Sequence, residues 1–384
     1  MYFYSGKNEE CCGCKACGDI CPKDAIEYNF DKGFWYPYKN MKKCIDCKKC
    51  EEVCPIDFKE KILIEDNEQV YACFVNDKNI LFQSSSGGMF TLLANYILEN
   101  NGIVFGCKYS ENMIVIHAEA NKYEQLIPLS GTKYVQSDTA GIYKIVKKRL
   151  DEGQKILFSG TPCQIEALKN YLDKEYFNLI TVDIVCHGVP SPQIFIDYIK
   201  LIEKKKNLKI KDFQFRNKTI GWNTPMRIIK YYNGLVNKNK LVKDPFNYLF
   251  QNLDLIERPS CYECKYAGAK RISDITIGDY WGVEKNTPEM FNNNNGVSII
   301  LLNTKKGNDF FLNIPKNRYT IKQISLKSAQ EKNIPLRNNI RKNEKRNEFF
   351  KNYDRKGIEY CIKHYSETNK IKRIIKKILR KIKI

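Results

Sequence analysis

The chain has 384 residues, of which 43% are hydrophobic and 28% are charged, and its excess of Lys and Arg gives a formal net charge of +20. This length allows two or more domains with buried cores, whereas no apolar run reaches the roughly 18 residues of a membrane-spanning helix and the N-terminus does not resemble a signal peptide. We therefore expect a cytoplasmic protein, in which sixteen cysteines indicate metal ligation more than disulfides.

Two cysteine runs with the same spacing occupy residues 11–55. Each reads C-x₂-C-x₂-C-x₃-C-P, and every cysteine of the second run lies 33 residues after its counterpart, which indicates an internal duplication. This is the bacterial two-cluster pattern, in which three thiolates of one run hold a 4Fe-4S cluster and the fourth cysteine crosses to the other cluster. The sequence therefore predicts two clusters and electron transfer. The predicted ligands are Cys11, Cys14, Cys17, Cys21, Cys44, Cys47, Cys50 and Cys54.

The alternatives fit this pattern less well. A zinc ribbon offers cysteines in pairs, and a disulfide framework needs an oxidising compartment and usually a short chain. Cys12 lies inside the first run but out of phase with it, so we interpret it as a bystander. No role is predicted for Cys73, Cys107 or Cys361.

A serine- and glycine-rich turn follows the cysteine runs. A strand or crossover is predicted over 61–73, and the turn at 84–88 precedes a helix over 90–98. Such a turn can present free backbone N–H groups to a phosphate, but many helices begin with a serine and bind no ligand. Further on, strands are predicted over 103–107 and 113–118 and a helix over 140–150, and the residues alone favour a solvated Lys133.

Two βα units are predicted from residue 155 onward. A strand over 155–158 precedes a helix over 164–172, with Thr161 as N-cap and Pro162 at the first helical position. A second strand over 179–185 is followed by Cys186 and His187. Because parallel sheets bind ligands beyond the carboxyl ends of their strands, Cys163 and Cys186 are expected at such an edge.

Four cysteines after residue 160 form a candidate third cluster site. Cys163 falls in the first turn of its helix, where the helix dipole is expected to lower the pKa of the thiol. Cys261 and Cys264 supply a C-x₂-C pair, so Cys163, Cys186, Cys261 and Cys264 are a candidate 4Fe-4S ligand set. Two alternatives stay open, namely ordinary buried cysteines and a nucleophilic thiol beside His187, for which no orienting third residue is evident.

A strand predicted over 272–282 ends in Gly-Asp-Tyr-Trp-Gly. Trp281 could stack on a planar cofactor, although a buried core tryptophan is the more common outcome. A loop over 292–295 and a strand over 297–302 follow.

Five motifs follow one another in order along the chain. They are Ser-Ser-Ser-Gly-Gly (84–88), Gly-Thr-Lys-Tyr-Val-Gln-Ser-Asp (131–138), Phe-Ser-Gly-Thr-Pro-Cys (158–163), Asp-x₂-Cys-His-Gly-Val-Pro (183–190) and Ser-Asp-x₃-Gly-Asp-Tyr-Trp-Gly (273–282). Together they resemble the coenzyme F-420 hydrogenase/dehydrogenase beta-subunit family. The chain is similar to the bacterial branch of this family that carries an N-terminal two-cluster ferredoxin domain.

The resemblance implies an FAD and supports the third 4Fe-4S cluster. It also implies an α+β or α/β fold, with a ferredoxin-like domain followed by a mixed α/β flavin and iron–sulfur domain. The residue pattern of the tail, described below, adds a basic C-terminal helix. The candidate flavin contacts are Ser84, Ser85, Ser86, Gly87, Gly88, Lys133, Ser137, Asp138, Gly160 and Thr161.

The implied function is an oxidoreductase that passes electrons from the ferredoxin-type clusters through the third cluster to FAD and a small organic acceptor. A ferredoxin or another redox protein is the expected partner, and the branch often occurs beside surface-polysaccharide genes, which suggests a role there. His187 is the candidate catalytic residue, as a proton or hydrogen-bond donor, with a structural histidine as the alternative. The competing functions are a non-catalytic electron-transfer subunit and a cluster-based regulator.

The domain boundaries are predicted at 1–62 for the two-cluster domain, 63–150 and 151–335 for two α/β regions, and 336–384 for a basic tail. In the tail, residues 370–384 hold eight Lys or Arg and no acid. Apolar residues recur there at helical spacing, which predicts an amphipathic basic helix. Such a helix suits peripheral contact with the inner face of the membrane. A nucleic-acid partner is not expected, because the tail has no aromatic residue.

Overall fold

The computed structural model describes residues 2–56 and 69–366. The strands are β1 (Ile26–Asp31), β2 (Phe34–Lys39), β3 (Gln69–Val75), β4 (Ile103–Tyr109), β5 (Val115–Ala120), β6 (Ile156–Gly160), β7 (Leu179–Ile184), β8 (Ile210–Asn217), β9 (Met226–Tyr231), β10 (Val236–Lys240), β11 (Ile275–Asp279), β12 (Ser298–Leu302) and β13 (Tyr319–Gln323). The helices are α1 (Tyr2–Ser5), α2 (Ala16–Ile20), α3 (Lys49–Glu52), α4 (Lys78–Gln83), α5 (Met89–Glu99), α6 (Tyr123–Leu126), α7 (Ile142–Asp151), α8 (Pro162–Leu172), α9 (Pro192–Lys206), α10 (Pro245–Asn247), α11 (Val283–Asn286), α12 (Lys305–Leu312), α13 (Leu326–Gln330) and α14 (Arg346–Tyr365).

The N-terminal domain shows the internal duplication in its backbone. The antiparallel hairpin β1–β2 lies between two short helices, and each helix lies within one run of cysteines. Lys15 and Lys48, which are 33 positions apart, both adopt a left-handed conformation with φ of 60° immediately before α2 and α3. The repeated spacing therefore produces a repeated local structure.

The larger of the two sheets formed by the described residues from 69 onward is mixed and has eight strands. Its strand order is β13-β3-β12-β11-β7-β6-β4-β5. The four strands β11, β7, β6 and β4 are parallel, and the strands outside them pair antiparallel. The predicted fold class, a ferredoxin-like domain followed by a mixed α/β domain, is confirmed. Both predicted α/β regions contribute strands to this one sheet.

A second, three-stranded antiparallel sheet, β10-β9-β8, packs with α9 and α14. Its aromatic core contains Phe195, Phe213, Phe215 and Phe246, all at most 1% exposed. α14 bends at Gly357, whose φ of 74° is non-helical. This sheet lies beside the cavity described below. Arg216, in β8, contributes to the wall of that cavity.

Most predicted elements agree with the structure within a few residues. Thr161 caps α8 through a reciprocal capping box with Gln164, and Pro162 is at the first helical position, as expected. The strand predicted over 61–73 begins at Gln69, and its earlier part lies outside the described residues. The strand predicted over 272–282 is shorter, Ile275–Asp279, and Asp274 just before it accepts hydrogen bonds from Thr181 of the neighbouring strand.

The basic helix predicted over 370–384 lies outside the described residues. Among the helices within 2–56 and 69–366, none combines the length and the apolar character that crossing a bilayer requires.

The N-terminal domain contacts the large domain through the segment before α7. Asp19 caps α7 by accepting hydrogen bonds from the backbone N–H groups of Gly141 (2.7 Å) and Tyr143 (3.1 Å). Thr139 donates a hydrogen bond to the carbonyl oxygen of Cys14 at 2.6 Å. These buried polar contacts hold the first cysteine run against the large sheet.

Candidate cofactor cavity and cysteine clusters

The two N-terminal runs exchange their fourth cysteines, as the spacing predicts. Burial, followed by the neighbouring Cys11 and Cys54, raises the pKa of Cys17, so the last cysteine of the second run lies beside the first run. Conversely, one small cavity is lined by Cys21 together with Cys44, Cys47 and Cys50. The structure thus brings together two groups of four cysteines, each drawn from both runs.

The four later cysteines also come together, although they are widely separated in the sequence. Burial, then Cys163 and Cys264, raises the pKa of Cys186. Burial, then Cys186, raises the pKa of Cys261. Cys163 lies in the first turn of α8, Cys186 follows β7, and Cys261 and Cys264 lie in the loop before β11. The parallel strand order therefore places all four cysteines at one edge of the sheet.

The expected low pKa of Cys163 is wrong for this structure. A hydrogen bond with Cys12 and then burial raise the pKa of the Cys163 thiol well above its ordinary value. The hydrogen bond with Cys12 and the desolvation of the thiolate together therefore outweigh the dipole of α8. Cys12, predicted to be a bystander, contacts both Cys14 and Cys163 and so connects the first run with the later group.

Arg271 supports a metal cluster at the later cysteines. Its side chain is 3% exposed, and its Nε and Nη2 atoms are buried without hydrogen-bond partners in the described part of the chain. It lies close enough to Cys186 and Cys264 for its charge to oppose the rise in pKa that burial causes in both thiols. A 4Fe-4S cluster with four thiolates is anionic, so a buried cation with free donors suits it.

A cavity of about 570 Å³ opens at the same edge of the sheet. It lies beyond the carboxyl ends of β6, β7 and β11, where parallel sheets bind ligands. Cys186 and His187 contribute to its wall. Of the predicted flavin contacts, the lining residues are Ser84, Ser85, Ser86, Gly88, Lys133, Ser137, Gly160 and Thr161.

The serine-rich turn uses its hydroxyl groups within the protein. Ser84 donates to the carbonyl of Ile80 at 2.7 Å, and Ser86 donates to that of Val297 at 3.1 Å. The turn offers backbone N–H groups to a ligand instead. The first N–H groups of α5 have no partner within the helix, and residues 88–91 line the cavity.

Gly87 does not line the cavity. Its N–H donates to Ser298 Oγ at 3.0 Å, and a β-carbon there would lie 2.5 Å from the carbonyl oxygen of Cys73. The residue therefore allows β3, β12 and the turn to approach one another closely.

Two other predicted contacts have different environments from those expected. Lys133 is partly exposed, but its Nζ donates to the carbonyls of Pro128 (2.7 Å) and Ser130 (2.8 Å) instead of extending into solvent, and burial lowers its pKa. Asp138 is absent from the described cavity wall, because its carboxylate pairs with Lys15 of the N-terminal domain at 2.7 Å. Lys133 thus shapes its own loop, and Asp138 helps to join the domains.

Two polar side chains that the sequence analysis did not identify line the cavity. His117 stacks on Phe158, its Nε2 lies 3.0 Å from the carbonyl oxygen of Ser159, and its buried Nδ1 has no partner in the described residues. Burial lowers the pKa of His117 to about 4, so the ring is neutral near pH 7. Arg216 pairs with Asp279 through Nη1, and its Nη2 is likewise buried without a partner. Both residues lie within strands, His117 in β5 and Arg216 in β8. The sequence around them contains no motif that would have identified them as cavity residues.

His187 has the orienting partner that the sequence did not reveal. Its Nε2 lies 2.7 Å from Oδ1 of Asp254, and its ring meets that of Phe250 edge to face at 5.2 Å. Glu257 lies next to this pair, and burial, followed by Asp254, raises the pKa of its carboxyl group. The arrangement fixes the histidine at the cavity wall.

Trp281 lines the cavity but already stacks on another tryptophan. The rings of Trp281 and Trp222 are 4.7 Å apart and nearly parallel, and the guanidinium of Arg216 lies 5.2 Å from the Trp281 ring. These contacts hold the indole in place beside the cavity.

Comparisons with known proteins agree with the motifs. Residues 153–332 match the family described as the C terminus of the coenzyme F420 hydrogenase/dehydrogenase beta subunit, and residues 10–58 match the 4Fe-4S dicluster domain. A solved structure, the F420-reducing [NiFe] hydrogenase complex from Methanosarcina barkeri, aligns over 70% of this chain and 88% of its own at 18% identity, with a TM-score of 0.43. No curated protein gave a significant match.

Proposed function

We propose that this member of the coenzyme F420 hydrogenase/dehydrogenase beta-subunit family, which carries an N-terminal 4Fe-4S dicluster domain, is an iron–sulfur flavoprotein oxidoreductase. In this proposal three 4Fe-4S clusters connect a redox partner protein with FAD, and a small organic molecule is the final acceptor or donor. The third cluster is held by Cys163, Cys186, Cys261 and Cys264.

One observation carries the proposal: the first cysteine run contacts the later cysteine group, and the later group contacts the cavity. Cys12 of the first run touches Cys163 of the later group, and Cys186 of the later group lines the cavity. A chain of closely spaced redox sites that ends at a ligand cavity is what a relay of single electrons to an organic cofactor requires.

The cavity suits FAD in size and in polarity. Its volume of about 570 Å³ lies within the range of ligand sites. The N–H groups at the start of α5 suit the pyrophosphate, while Arg216 Nη2 and His117 Nδ1 provide a free donor and a free acceptor. When bound, FAD would combine single electrons into a hydride equivalent.

His187 is placed to handle a proton at the cavity wall. Because Asp254 occupies Nε2, the Nδ1 atom is the one left for a ligand or a water molecule. The neighbouring carboxyl group of Glu257, whose pKa is raised, would provide a proton reservoir behind the pair. In this proposal Asp254 and Glu257 act on a ligand only through His187.

The test is the cofactor content of anaerobically purified protein. A complete relay requires about twelve irons and one FAD per chain. Replacement of Cys261 and Cys264 by Ser should remove about four irons and leave the signals of the N-terminal clusters unchanged. Cys73→Ser and Cys361→Ser are matched controls, since both thiols are buried elsewhere.

Absence of flavin would refute the enzyme proposal and leave an electron-transfer protein. An unchanged iron content in the Cys261/Cys264 variant would refute the third cluster.

A further inference from the structure

The two cysteine runs have the same spacing but different environments. In the first run Cys11 and Cys14 are only 8% and 7% exposed, and they face the large domain. In the second run Cys47 is exposed, and Cys44 is partly exposed. The second run therefore holds the outer site of the relay, and the first run holds the inner one.

The chain around Cys47 forms a basic surface, here called the second-run surface. It consists of the exposed residues Met41, Lys42, Lys43, Ile45, Asp46, Cys47, Lys48 and Lys49. Four lysines and one aspartate thus surround an exposed cysteine. By the repeat of 33 residues, Lys42 and Lys43 correspond to Glu9 and Glu10 of the first run, so the two copies differ in charge at equivalent positions.

Two apolar side chains stand among these lysines. Met41 is 74% exposed and Ile45 is 58% exposed. Lys43 pairs with Glu27 at 3.3 Å, whereas no ion pair within residues 2–56 and 69–366 includes Lys42, Lys48 or Lys49. Exposed apolar residues among charges that are mainly of one sign are characteristic of protein-binding surfaces.

We propose that the second-run surface is the docking site of an acidic one-electron carrier protein. The inference rests on the proposed function, because it supplies the entry point for that relay. In the transfer, one electron would leave the carrier, which would be oxidised, and pass to the 4Fe-4S cluster that Cys21, Cys44, Cys47 and Cys50 would hold, which would be reduced. No covalent bond forms or breaks.

The exposed Cys47, a predicted cluster ligand, favours an acidic carrier protein over a lipid surface. An anionic bilayer would also attract the lysines, but it neither donates nor accepts an electron at Cys47. A carrier protein uses both features of the surface, since the lysines steer its approach and the two apolar residues allow its redox centre to come close.

The experiment measures electron transfer from a small acidic two-cluster ferredoxin, reduced beforehand, to the full-length protein in stopped flow. The variant Lys42→Glu/Lys48→Glu/Lys49→Glu should lower the second-order rate constant at low ionic strength roughly tenfold or more. It should also remove the decrease with added salt that the wild type shows, because salt screens attraction over about 10 Å at 0.1 M. The control variant Lys238→Glu/Lys240→Glu/Lys243→Glu changes the net charge equally at exposed positions in β10 and the segment after it.

Iron content and reduction by dithionite separate this proposal from the proposed function. Equal rates for the wild type and the second-run variant, both with full iron, would overturn the docking site and leave the relay intact. The docking site is also overturned if dithionite reduces the wild type and the acidic ferredoxin does not. If flotation on phosphatidylglycerol vesicles is lost in the second-run variant while its transfer rate is unchanged, the surface is a membrane contact instead.

Discussion

Arg258 is a buried cation that joins the two domains at a predicted cluster ligand. Its side chain is 1% exposed, and its Nη2 donates to Sγ of Cys11 at 3.2 Å and to the carbonyl oxygen of Trp35 at 3.0 Å. The guanidinium also lies 4.4 Å from the ring of Tyr36. The equivalent sulfur in the second run, that of Cys44, accepts only a backbone N–H from Asp46 among the described contacts. The arginine therefore distinguishes the two cluster sites.

Replacement of Arg258 by Met should lower the reduction potential of the inner N-terminal cluster. A donor on a ligand sulfur stabilises the more negative, reduced form, and its loss at about 1.4 kcal/mol corresponds to a shift of about 59 mV for one electron. EPR-monitored redox titration measures the shift. Arg258→Lys is the control that keeps the charge, and the cluster of Cys44 should not change. A shift in both clusters would contradict the assignment.

His117 should make stability sensitive to acid. Its pKa is about 4 in the folded protein against 6.5 for an ordinary histidine, because burial disfavours the charged ring. The unfolded chain binds the proton first, so the contribution is complete above pH 6.5 and is lost as the pH falls toward 4. Between pH 7 and pH 5 the wild type should lose about 2 kcal/mol of unfolding free energy more than His117→Gln. Denaturant unfolding at both pH values measures this difference, and equal losses would contradict the low pKa.

The serine-rich turn is an element positioned by residues distant from it in sequence. Lys218, which follows β8 and is 4% exposed, donates to the carbonyls of Leu81, Ser86 and Asn295. One ammonium group thus connects α4, the turn and the loop before β12. The backbone N–H groups that face the cavity depend on this connection.

Replacement of Lys218 by Met should weaken FAD binding at least tenfold, or about 1.4 kcal/mol. The three carbonyls would lose their shared donor, and the turn would no longer be held in the conformation that lines the cavity. Flavin fluorescence titration of the protein measures the affinity. Lys78→Met, at an exposed position in α4, is the control, and both variants should keep their iron. An unchanged flavin affinity in Lys218→Met would show that the turn does not bind FAD.

The whole molecule depends on how the N-terminal domain sits on the large sheet. Asp19 supplies the N-cap of α7 from the other domain, and Lys15 pairs with Asp138 across the same boundary. Cys12, Cys14 and Val53 pack in one hydrophobic cluster with residues of β6 and α8. The proposed relay would be continuous only while this contact exists.

Replacement of Asp19 by Ala should lower the unfolding free energy by about 1 to 2 kcal/mol, because two N–H groups of α7 lose their acceptor. Thermal unfolding followed by circular dichroism measures the effect. Asp24→Asn is the control, since Asp24 is exposed, lies 3.8 Å from Lys144 and has a positive φ of 46°, which asparagine adopts at little cost. A loss of similar size in the control would contradict the role of Asp19 as a cap between domains.

The sequence by itself determined the parts whose signal is local. The spacing of the two cysteine runs predicted their pairing, because ligand spacing must match the geometry of a cluster. The βα pattern and the position of Thr161 and Pro162 predicted the start of α8, because a capping box and a proline satisfy the backbone within a few residues.

Only the tertiary structure decided the parts that depend on contacts between distant segments. Asp254 contacts His187 although 67 residues separate them in the sequence, and Arg258 contacts Cys11 across a separation of 247 residues. A hydrogen bond with Cys12 and burial likewise reversed the expected pKa shift of Cys163, and ion pairing directed Asp138 away from the cavity. Desolvation and charge pairing depend on which surfaces the fold brings together, and no local pattern in the sequence encodes that.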